Sequence, residues 1–306
     1  MAACDRCGGK AVTLVRYSGA HLCGRHFCEF VEKRVRHELR RQLDLRGGER
    51  MAMAVSGGKD SIVALHLVAD ILGRRKDFEM CAVTVDEGIG RYRPPAIPLV
   101  SGLCGELGIE HIVVSFETLY GITMDQVAEA RRDLSTCSYC GVLRRAAMNK
   151  AAREWGADFI ATGLNLDDTA QSILMNLCRG DVERLARLGP HTSAQPGLVR
   201  RVQPLRTIPE GETTLYAIVR GLRYHDLECP YAPEAVRNSY RDVLSQLEDK
   251  FPGTRHSILK SYDELLQGLS SAYQPARLVE CECGEPTTRD LCKACELLRS
   301  LDGIRR

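Results

Sequence analysis

The sequence predicts an α/β fold with a mostly parallel sheet, flanked by a small cysteine-rich module at each end of the chain. Short apolar strand patterns alternate with helical patterns between residues 51 and 180, and this alternation is typical of parallel strands joined by right-handed crossovers. Paired cysteines stand near both ends. The 306 residues allow about two domains. The composition, 44% hydrophobic and 27% charged, excludes a mainly disordered or collagen-like chain.

The net charge and the hydropathy of the sequence restrict how the protein could bind nucleic acid and where in the cell it is expected. Lysine and arginine total 42 against 40 aspartates and glutamates, a net charge of +2, so a nucleic-acid partner must bind a local basic surface. No apolar run reaches the length of about 20 residues that spans a membrane, and the first residues do not resemble a signal peptide. We therefore expect a cytoplasmic protein without a membrane segment. Its fourteen cysteines should ligate metals or act as thiols rather than form structural disulfides.

The first 46 residues predict a zinc finger followed by a basic helix. Two pairs with a two-residue spacer lie near the N-terminus, and such pairs can place four ligands around one tetrahedral zinc ion. Residues 27–45 then repeat apolar side chains at helical spacing, with basic residues on other faces. That charged face is either solvated or contacts phosphate. The predicted zinc ligands are Cys4, Cys7, Cys23 and His26.

Residues 47–274 form the predicted central domain. Gly47-Gly48 separates it from the first module, because paired glycines interrupt regular structure. The strand candidates are Met51–Val55, Met80–Val85, His111–Phe116 and Phe159–Thr162. The helix candidates are residues 61–72, 97–107, 142–155, 167–180, 212–222, 233–247 and 255–269.

Residues 275–306 predict a second small zinc module. A polar stretch at residues 270–275 is interpreted as its linker. Four cysteines follow, and the last two have the two-residue spacer of a zinc knuckle, whereas the first two are separated by a single glutamate. The predicted ligands are Cys281, Cys283, Cys292 and Cys295.

The segment Ser56–Ser61, with the sequence SGGKDS, is the strongest catalytic signal. It follows a predicted strand and precedes an apolar helix. Paired glycines allow backbone amides to approach an anion, and a helix N-terminus adds N–H donors and a favourable dipole. The spacing matches neither the Walker loop nor the dinucleotide-binding glycine motif. The segment therefore predicts a phosphate site of another type.

This hexapeptide resembles the PP-loop of ATP pyrophosphatases, which split ATP between the α and β phosphates. The resemblance implies a doubly wound sheet that binds ATP at the carboxyl ends of its strands. It also implies that Mg²⁺ accompanies ATP, with Asp60 and Asp168 holding the ion or orienting the loop. Asp168 has a second interpretation, since Asp167-Asp168 also suits a helix start. The implied ATP-binding residues are Ala54, Ser56, Gly57, Gly58, Lys59, Asp60, Ser61, Val85 and Gly163.

Further stretches narrow the resemblance to the TtuA/NcsA group of tRNA 2-thiouridine synthetases, and within it to the branch that includes the cytosolic wobble-uridine enzyme. These stretches, together with both zinc modules, cover nearly the whole chain. Two departures are visible: Leu164 replaces the usual histidine of the second nucleotide loop, and the Cys281–Cys283 spacer is one residue short. The matching stretches are residues 86–90, 136–145, 161–168, 177–181 and 228–231.

A third cysteine set consists of Cys137, Cys140 and the distant Cys229. A Cys-x-x-Cys pair alone fits redox chemistry, zinc or iron–sulfur ligation equally well. One interpretation is a persulfide carrier whose thiol pKa is lowered by a helix N-terminus and by Arg144 or Arg145. Another is a zinc half-site with Cys229 packed elsewhere. The family's three-cysteine pattern implies instead a [4Fe-4S] cluster with one open iron.

The resemblance implies ATP-dependent tRNA 2-thiolation, in which the uridine O2 is adenylated and then replaced by sulfur. The catalytic residues that the resemblance implies are Asp60, Arg144, Asp168 and the three cysteines. The expected partners are tRNA, a ubiquitin-like sulfur carrier or free sulfide, and a second copy in a homodimer. Five arginines without an acid in residues 184–206 predict a surface that contacts RNA phosphates. The alternatives are thiolation of ribothymidine, a PP-loop ligase or amidotransferase, and an inert zinc scaffold that binds RNA.

Overall fold

The computed structural model describes residues 2–130, 133–191, 193–234, 236–273 and 277–301. Nine short strands lie in these described ranges. In chain order they are β1 (Thr13–Val15), β2 (Ala20–Leu22), β3 (Glu49–Ala54), β4 (Phe78–Asp86), β5 (Glu110–Ser115), β6 (Phe159–Thr162), β7 (Arg200–Val202), β8 (Val279–Glu280) and β9 (Pro286–Thr287).

Twelve α-helices lie in the same described ranges, together with a 3₁₀ turn at Ala232–Glu234. Within this part of the chain no helix combines the length and apolarity needed to cross a bilayer. The helices are α1 (Gly24–Gln42), α2 (Lys59–Leu72), α3 (Ala96–Leu107), α4 (Phe116–Tyr120), α5 (Met124–Glu129), α6 (Thr136–Trp155), α7 (Leu166–Cys178), α8 (Val182–Ala186), α9 (Glu210–Arg220), α10 (Arg237–Lys250), α11 (Thr254–Ala272) and α12 (Lys293–Arg299).

Strands β3 to β7 form one parallel sheet in the order β5-β4-β3-β6-β7. Met51 of β3 pairs with Met80 of β4 on one side and with Phe159 of β6 on the other. The chain therefore builds outward from β3 to β5 and then returns to the opposite side of β3. This reversal creates a switch point beside the carboxyl ends of β3 and β6, where such sheets bind ligands. The predicted fold class is confirmed.

The predicted strands agree with the sheet with two exceptions, the last residue of the third predicted strand and the edge strand β7. Phe159–Thr162 matches β6, and the other three overlap β3, β4 and β5. Phe116 was expected in a strand but begins α4 instead, because the Ser115 hydroxyl accepts a hydrogen bond from the Thr118 backbone N–H and caps that helix. Strand β7 was not predicted, since two of its three residues are arginines and show no apolar pattern.

The N-terminal module packs into the main core rather than standing apart. The β1–β2 hairpin leads into α1, whose Val31, Val35 and Leu39 are buried in the same cluster as the apolar residues of α2. Arg34 on α1 donates a 2.8 Å hydrogen bond to Glu212 of α9. Part of the predicted basic face is therefore internal and holds two helices together.

The C-terminal module packs against α6. Cys281 and Cys292 share a buried cluster with Leu143 and Ala147 of that helix. The linker predicted at residues 270–275 is wrong for its first part, because residues 270–272 are the last residues of α11. Residues 274 and 275 lie outside the described ranges. The module buttresses the helix that carries Cys137 and Cys140 near its start.

Candidate functional site

The loop Ser56–Ser61 joins β3 to α2, as predicted, and close packing determines its shape. Gly57 has a φ angle of +86°, and a Cβ atom there would lie 2.8 Å from Cβ of Ala96 at the start of α3, so the position requires glycine. The Ser61 hydroxyl donates to the Gly58 carbonyl at 2.8 Å. Helix α2 has no side-chain cap at its N-terminus. Its first backbone N–H groups and its dipole therefore suit a bound phosphate.

Lys59 in this loop is held by two carboxylates. Its Nζ lies 3.1 Å from Oδ2 of Asp60 and 3.0 Å from Oε1 of Glu210, the first residue of α9. Burial favours the neutral amine, but the two negative charges outweigh burial and raise the pKa of Lys59. Thr213 of α9 donates a hydrogen bond to the other Asp60 oxygen. The lysine thus stays charged and available to phosphate.

The second predicted nucleotide loop lies directly against the first. A Cβ atom on Gly163 would come within 2.8 Å of the backbone nitrogen of Ser61, so this approach also requires glycine. Val85 is buried near the carboxyl end of β4, and Ala54 ends β3. Leu164 is 40% exposed. The position of the usual histidine therefore presents an apolar side chain.

Asp168 caps a helix, which is one of the two interpretations that the sequence left open. Its backbone N–H donates to Oδ1 of Asn165 at 3.0 Å, and its own carboxylate accepts from the Asn165 N–H, which makes a capping box for α7. Burial and the nearby charges of Asp60 and Glu210 raise the pKa of Asp168, although Arg237 partly offsets them. The carboxylate therefore caps a helix and also belongs to the charged cleft beside Lys59.

Cys137, Cys140 and Cys229 come from two segments that hydrogen bonds fasten together. The Thr136 backbone N–H donates to Oε2 of Glu234 at 2.9 Å, and the Cys137 thiol donates to the carbonyl of Tyr231 at 3.2 Å. Cys140 and Cys229 pack against the same buried apolar cluster. All three thiols are partly buried. The sequence-distant cysteines thus lie on segments that pack together, and this region is called the thiol pocket below.

The ionisation of these thiols differs from the prediction. Burial raises the pKa of all three, to about 11 for Cys140, and Arg144 offsets this only in part. The lowered pKa that the persulfide interpretation requires, through the helix N-terminus and Arg144 or Arg145, is therefore not found. A thiol of this kind stays protonated at neutral pH unless a metal takes the place of its proton. The raised pKa values give no support to a persulfide carrier, which needs a thiolate.

One backbone contact joins the thiol pocket to the glycine loop. The His225 N–H donates to the carbonyl of Gly57 at 2.8 Å. Cys229 follows four residues later, within about 14 Å even if the chain is fully extended. The segment that carries the third cysteine is therefore tied to the phosphate loop.

A side-chain contact makes a second connection. Arg144 lies one turn after Cys140 on α6, and its Nη1 is 3.6 Å from Oε1 of Glu87. Glu87 also binds Arg93, whose guanidinium donates to the carbonyl of Ser56 in the loop. These contacts thus connect the glycine loop to the helix that carries Cys137 and Cys140. The region along them, from Lys59 and Asp168 to Arg144, is called the cleft below.

The N-terminal ligand set converges as predicted. The sulfur atoms of Cys7 and Cys23 lie 3.8 Å apart, and the Cys4 sulfur is 3.4 Å from Nδ1 of His26. Zinc–sulfur bonds of about 2.3 Å in a tetrahedron place two sulfurs about 3.8 Å apart. Burial opposes ionisation of Cys4, but backbone N–H groups, including that of Cys23, outweigh it and lower its pKa to about 6. The geometry fits a tetrahedral ion.

The C-terminal set converges too, despite its short spacer. The sulfur atoms of Cys283 and Cys292 are 3.6 Å apart. Burial opposes ionisation of Cys281, but N–H donors from Cys283 and Cys292 outweigh it and lower the pKa of Cys281 to about 7. A single intervening glutamate therefore does not prevent Cys281 and Cys283 from facing the same point.

The central cysteines are arranged more widely than either terminal set. Within the described ranges, only the two terminal sets bring every candidate ligand atom within 4.8 Å of the others. Cys137, Cys140 and Cys229 nonetheless influence one another's pKa. As placed here, the three central thiols do not all converge on one zinc ion. A polynuclear cluster, whose thiolates bind separate irons, does not require such close convergence.

The predicted phosphate surface at residues 184–206 is only partly present. Arg206 is 2% exposed and forms a buried ion pair with Asp263, so it cannot contact RNA. Arg184 and Arg187 pair with acids that precede them, and the Arg200 guanidinium lies 3.9 Å from the Phe159 ring centroid. The sequence segment contains no acid, but tertiary neighbours and residues 181 and 183 supply partners.

Arg145 was not part of that prediction as a phosphate ligand, yet it is the better candidate. Its side chain is exposed and forms no ion pair with any described residue. Partial desolvation and the like charges of Arg201, Arg144 and Arg184 lower the pKa of Arg145 to about 10. A bound phosphate would relieve this repulsion.

Sequence reasoning missed three residues of the cleft: Glu87, Arg93 and Glu210. Glu87 lies within a stretch that carried the family resemblance, but its sequence does not reveal its partner. Glu210 is 151 positions from Lys59, and no motif relates the two. Only the sheet topology brings them together.

Comparison with known families and proteins shows which family the chain belongs to. Residues 30–248 match a PP-loop domain, and residues 4–28 match the N-terminal LIM domain of the 2-thiouridine synthetase TtuA. The tRNA 2-thiolation protein NcsA of Haloferax volcanii is 39% identical, over 98% of this chain and 99% of its own length. The cytoplasmic tRNA 2-thiolation protein 1 of Mus musculus is 40% identical, over 94% of this chain and 69% of its own.

A solved structure is similar along nearly the full chain. It is the U34-tRNA thiolase NcsA from Methanococcus maripaludis with its [4Fe-4S] cluster. The identity is 34%, and the TM-score is 0.85 over 98% of this chain and 97% of the other. The likeness therefore extends beyond the central sheet to both terminal modules.

Proposed function

The chain belongs to the PP-loop family that contains the tRNA 2-thiolation proteins, and on that premise we propose that it is an ATP-dependent tRNA sulfurtransferase. The proposed reaction replaces O2 of the wobble uridine by sulfur. The observation that carries the proposal is that three partly buried cysteines lie on two segments, both of which contacts connect to the glycine loop. A ligase that only adenylates its substrate has no need for that arrangement.

The glycine loop supports the activation half of the reaction. The uridine O2 is a poor leaving group, so it first attacks the α-phosphate of Mg²⁺-bound ATP and releases pyrophosphate. Lys59 and the first N–H groups of α2 stabilise the phosphate charge. The carboxylates of Asp60 and Asp168 are the proposed contacts to Mg²⁺.

The cysteine pocket supports the sulfur half. Three thiols, their wide spacing and their raised pKa values fit a [4Fe-4S] cluster held by Cys137, Cys140 and Cys229. When bound, such a cluster supplies an open iron position that can hold sulfide. Arg144 lies between this pocket and Glu87, so it can stabilise negative charge near the base as AMP leaves. The proposed sulfur source is a ubiquitin-like carrier or free sulfide.

The terminal modules and exposed arginines support the remaining parts of the proposal. Each terminal set holds one Zn²⁺, and both modules shape the fold around the cleft. Arg145 in the cleft, with Arg36 and Arg40 on the outer face of α1, offers contacts for tRNA phosphates. A homodimer is the proposed assembly, and exposed Leu177, Phe251 and Leu265 provide an apolar face for it. The proposed location is the cytoplasm.

Nucleoside mass spectrometry of tRNA tests the function. A deletion strain is complemented with the wild-type chain, with Cys229→Ala, or with Cys178→Ala, which removes an exposed cysteine outside all three sets. We expect wild type and C178A to restore 2-thiouridine at the wobble position, and C229A not to restore it. Sulfur at ribothymidine instead would select the other branch of the family.

A second assay separates the remaining alternatives. ATP–pyrophosphate exchange that depends on tRNA agrees with the proposal. Exchange without any effect of tRNA, together with unchanged 2-thiouridine in the deletion strain, would identify a different PP-loop ligase. No exchange under any condition would identify a scaffold.

A further inference from the structure

Glu87 is a buried carboxylate directly after β4, and it binds two arginines. It is 1% exposed, as is Arg93. Arg93 Nε lies 2.6 Å from Oε2 of Glu87, and Arg93 Nη2 lies 3.0 Å from Oε1. Arg144 Nη1 approaches the same Oε1 at 3.6 Å. One buried anion is therefore shared between a firmly held cation and a looser one.

Arg93 connects this anion to the phosphate loop. Its third guanidinium nitrogen donates to the carbonyl of Ser56. Its own carbonyl accepts from the backbone N–H of Ala96, the residue whose Cβ contacts the loop at Gly57. A displacement of the loop therefore displaces Arg93, and with it the carboxylate of Glu87.

Arg144 is the most exposed member of the three. Its side chain is 47% exposed, in contrast to the 1% of its partner, and Glu87 is its only ion-pair partner among the described residues. Arg144 follows Cys140 by one turn on α6. The direction of its guanidinium toward the thiol pocket therefore depends on where Glu87 holds it.

From this geometry we infer that Glu87 is a positioning residue that holds Arg144 in register with the phosphate loop, through Arg93. The inference rests on the proposed function for its catalytic consequence, but the side-chain coupling does not depend on it. Arg93 neutralises one full charge of the carboxylate, so Glu87 attracts Arg144 weakly enough for Arg144 to turn toward the substrate. A bound nucleotide that moves the loop would move Arg144 with it.

The kinetic test uses Glu87→Gln, Arg144→Gln and the double variant. E87Q keeps an oxygen acceptor for Arg93 but loses the charge that holds Arg144. We expect thiolation to fall about 100-fold in E87Q, as for a misplaced catalytic group, with the Michaelis constant for ATP nearly unchanged. The double variant should be no slower than R144Q alone, because the two residues act through one contact. Losses that multiply would overturn the inference.

The matched control is Glu38→Gln. Glu38 is 2% exposed and lies 3.5 Å from Arg41, which is 52% exposed, so the pair has nearly the same burial and distance as Glu87 and Arg144. It lies on α1, away from the cleft. E38Q should retain thiolation. An equal loss in E38Q would show that any buried glutamate of this kind affects activity through stability alone.

A chemical readout decides the inference without reference to activity. Phenylglyoxal modifies arginines, and mass mapping follows Arg144 with exposed Arg145 as the internal reference. Arg144 should react several-fold faster in E87Q than in wild type. If E87Q fails to fold, Glu87→Asp replaces it in this experiment. The shorter side chain keeps a negative charge for Arg93 but moves the carboxylate away from Arg144. Equal labelling of Arg144 in wild type and in the folded variant would overturn the inference, even if thiolation is observed. Absent thiolation by wild type would overturn the function alone.

Discussion

The terminal cysteine sets and the central one differ in both spacing and origin. Each terminal set comes from a single short stretch of chain, and its ligand atoms converge within 4.8 Å. The central set joins the start of α6 to a segment about ninety residues later, and its thiols lie farther apart. Close convergence suits one ion and a structural role, whereas wide placement beside a phosphate loop suits a cluster and chemistry.

Removal of one central thiol is the strongest test of this difference between the central and terminal cysteine sets. Cys229→Ser should abolish iron binding and reduce tRNA thiolation by more than about 100-fold, exceeding the usual loss for an outer-shell partner of a metal. Both zinc ions should remain. Metal analysis of anaerobically purified protein measures this, with C178S as the control. Loss of zinc together with iron would show that the central and terminal sets are not independent.

The substitution Asp168→Asn tests whether a charged residue of the cleft lowers the stability of the fold, in contrast to the terminal modules, which are expected to raise it. We expect thiolation to fall about 100-fold, the order typical for a lost acid–base group. The folded-state pKa of Asp168 is raised by burial and by Asp60 and Glu210. The folded protein therefore binds this proton more tightly than the unfolded chain does, and the ionised carboxylate opposes folding at higher pH.

This sign predicts how the stability of D168N depends on pH. At pH 7 the variant should melt about 2 °C or more above the wild-type temperature. The advantage should disappear as the pH falls toward the ordinary aspartate value of 3.8, where both side chains are neutral. Thermal melts at several pH values measure it. A lower melting temperature for D168N at pH 7 would show that the helix cap and the contact with Arg237 outweigh burial.

Cys4→Ala tests the structural half of the comparison. It should remove one zinc per chain, leave the iron content unchanged, and lower the melting temperature by on the order of 10 °C, because structural zinc contributes folding free energy. Thiolation at low temperature should fall only slightly. Cys28→Ala is the control, since Cys28 is buried in the same module but is not a ligand. It should lose some stability but no zinc.

The smallest expected effect concerns tRNA phosphates. Arg145→Ala should weaken tRNA binding a few-fold and reduce the slope of log affinity against log salt concentration by about 1, as for one lost phosphate contact. Arg187→Ala is the control, because Arg187 is half exposed but already paired with Glu183. Equal salt slopes for R145A and wild type would assign RNA binding to another surface, such as the outer face of α1.

Much of the site could be predicted where the chemistry is local. The loop at Ser56–Ser61 was recognised because its glycines and its helix start are consecutive. The terminal ligand sets were recognised because their spacers are short. Even there the sequence did not reveal ionisation: one interpretation of Cys137 and Cys140 required thiols with a lowered pKa, whereas burial raises the pKa of both.

The interior partners could not be predicted, because a charge in the sequence does not reveal its neighbour. Arg206 was expected at the surface, yet Asp263 from α11 takes it into the interior. Arg34 is one of the basic residues of the helix predicted in residues 27–45, whose charged face was expected to be solvated or to contact phosphate, yet it binds Glu212. Each contact joins residues far apart in the chain, so neither spacing nor periodicity carries its signal.

The order of strands and helices, the two terminal metal sets and the phosphate loop follow from patterns within a few neighbouring residues, where backbone preference and side-chain periodicity act directly. The return of the sheet to the far side of β3 is different in kind. It brings Glu210 to Lys59 and gathers Glu87, Arg93 and Arg144 between the loop and the cysteines. Those contacts exist because the parallel sheet brings segments that are distant in the chain to the carboxyl ends of its strands. A charge that is buried there is stable only when an opposite charge lies beside it.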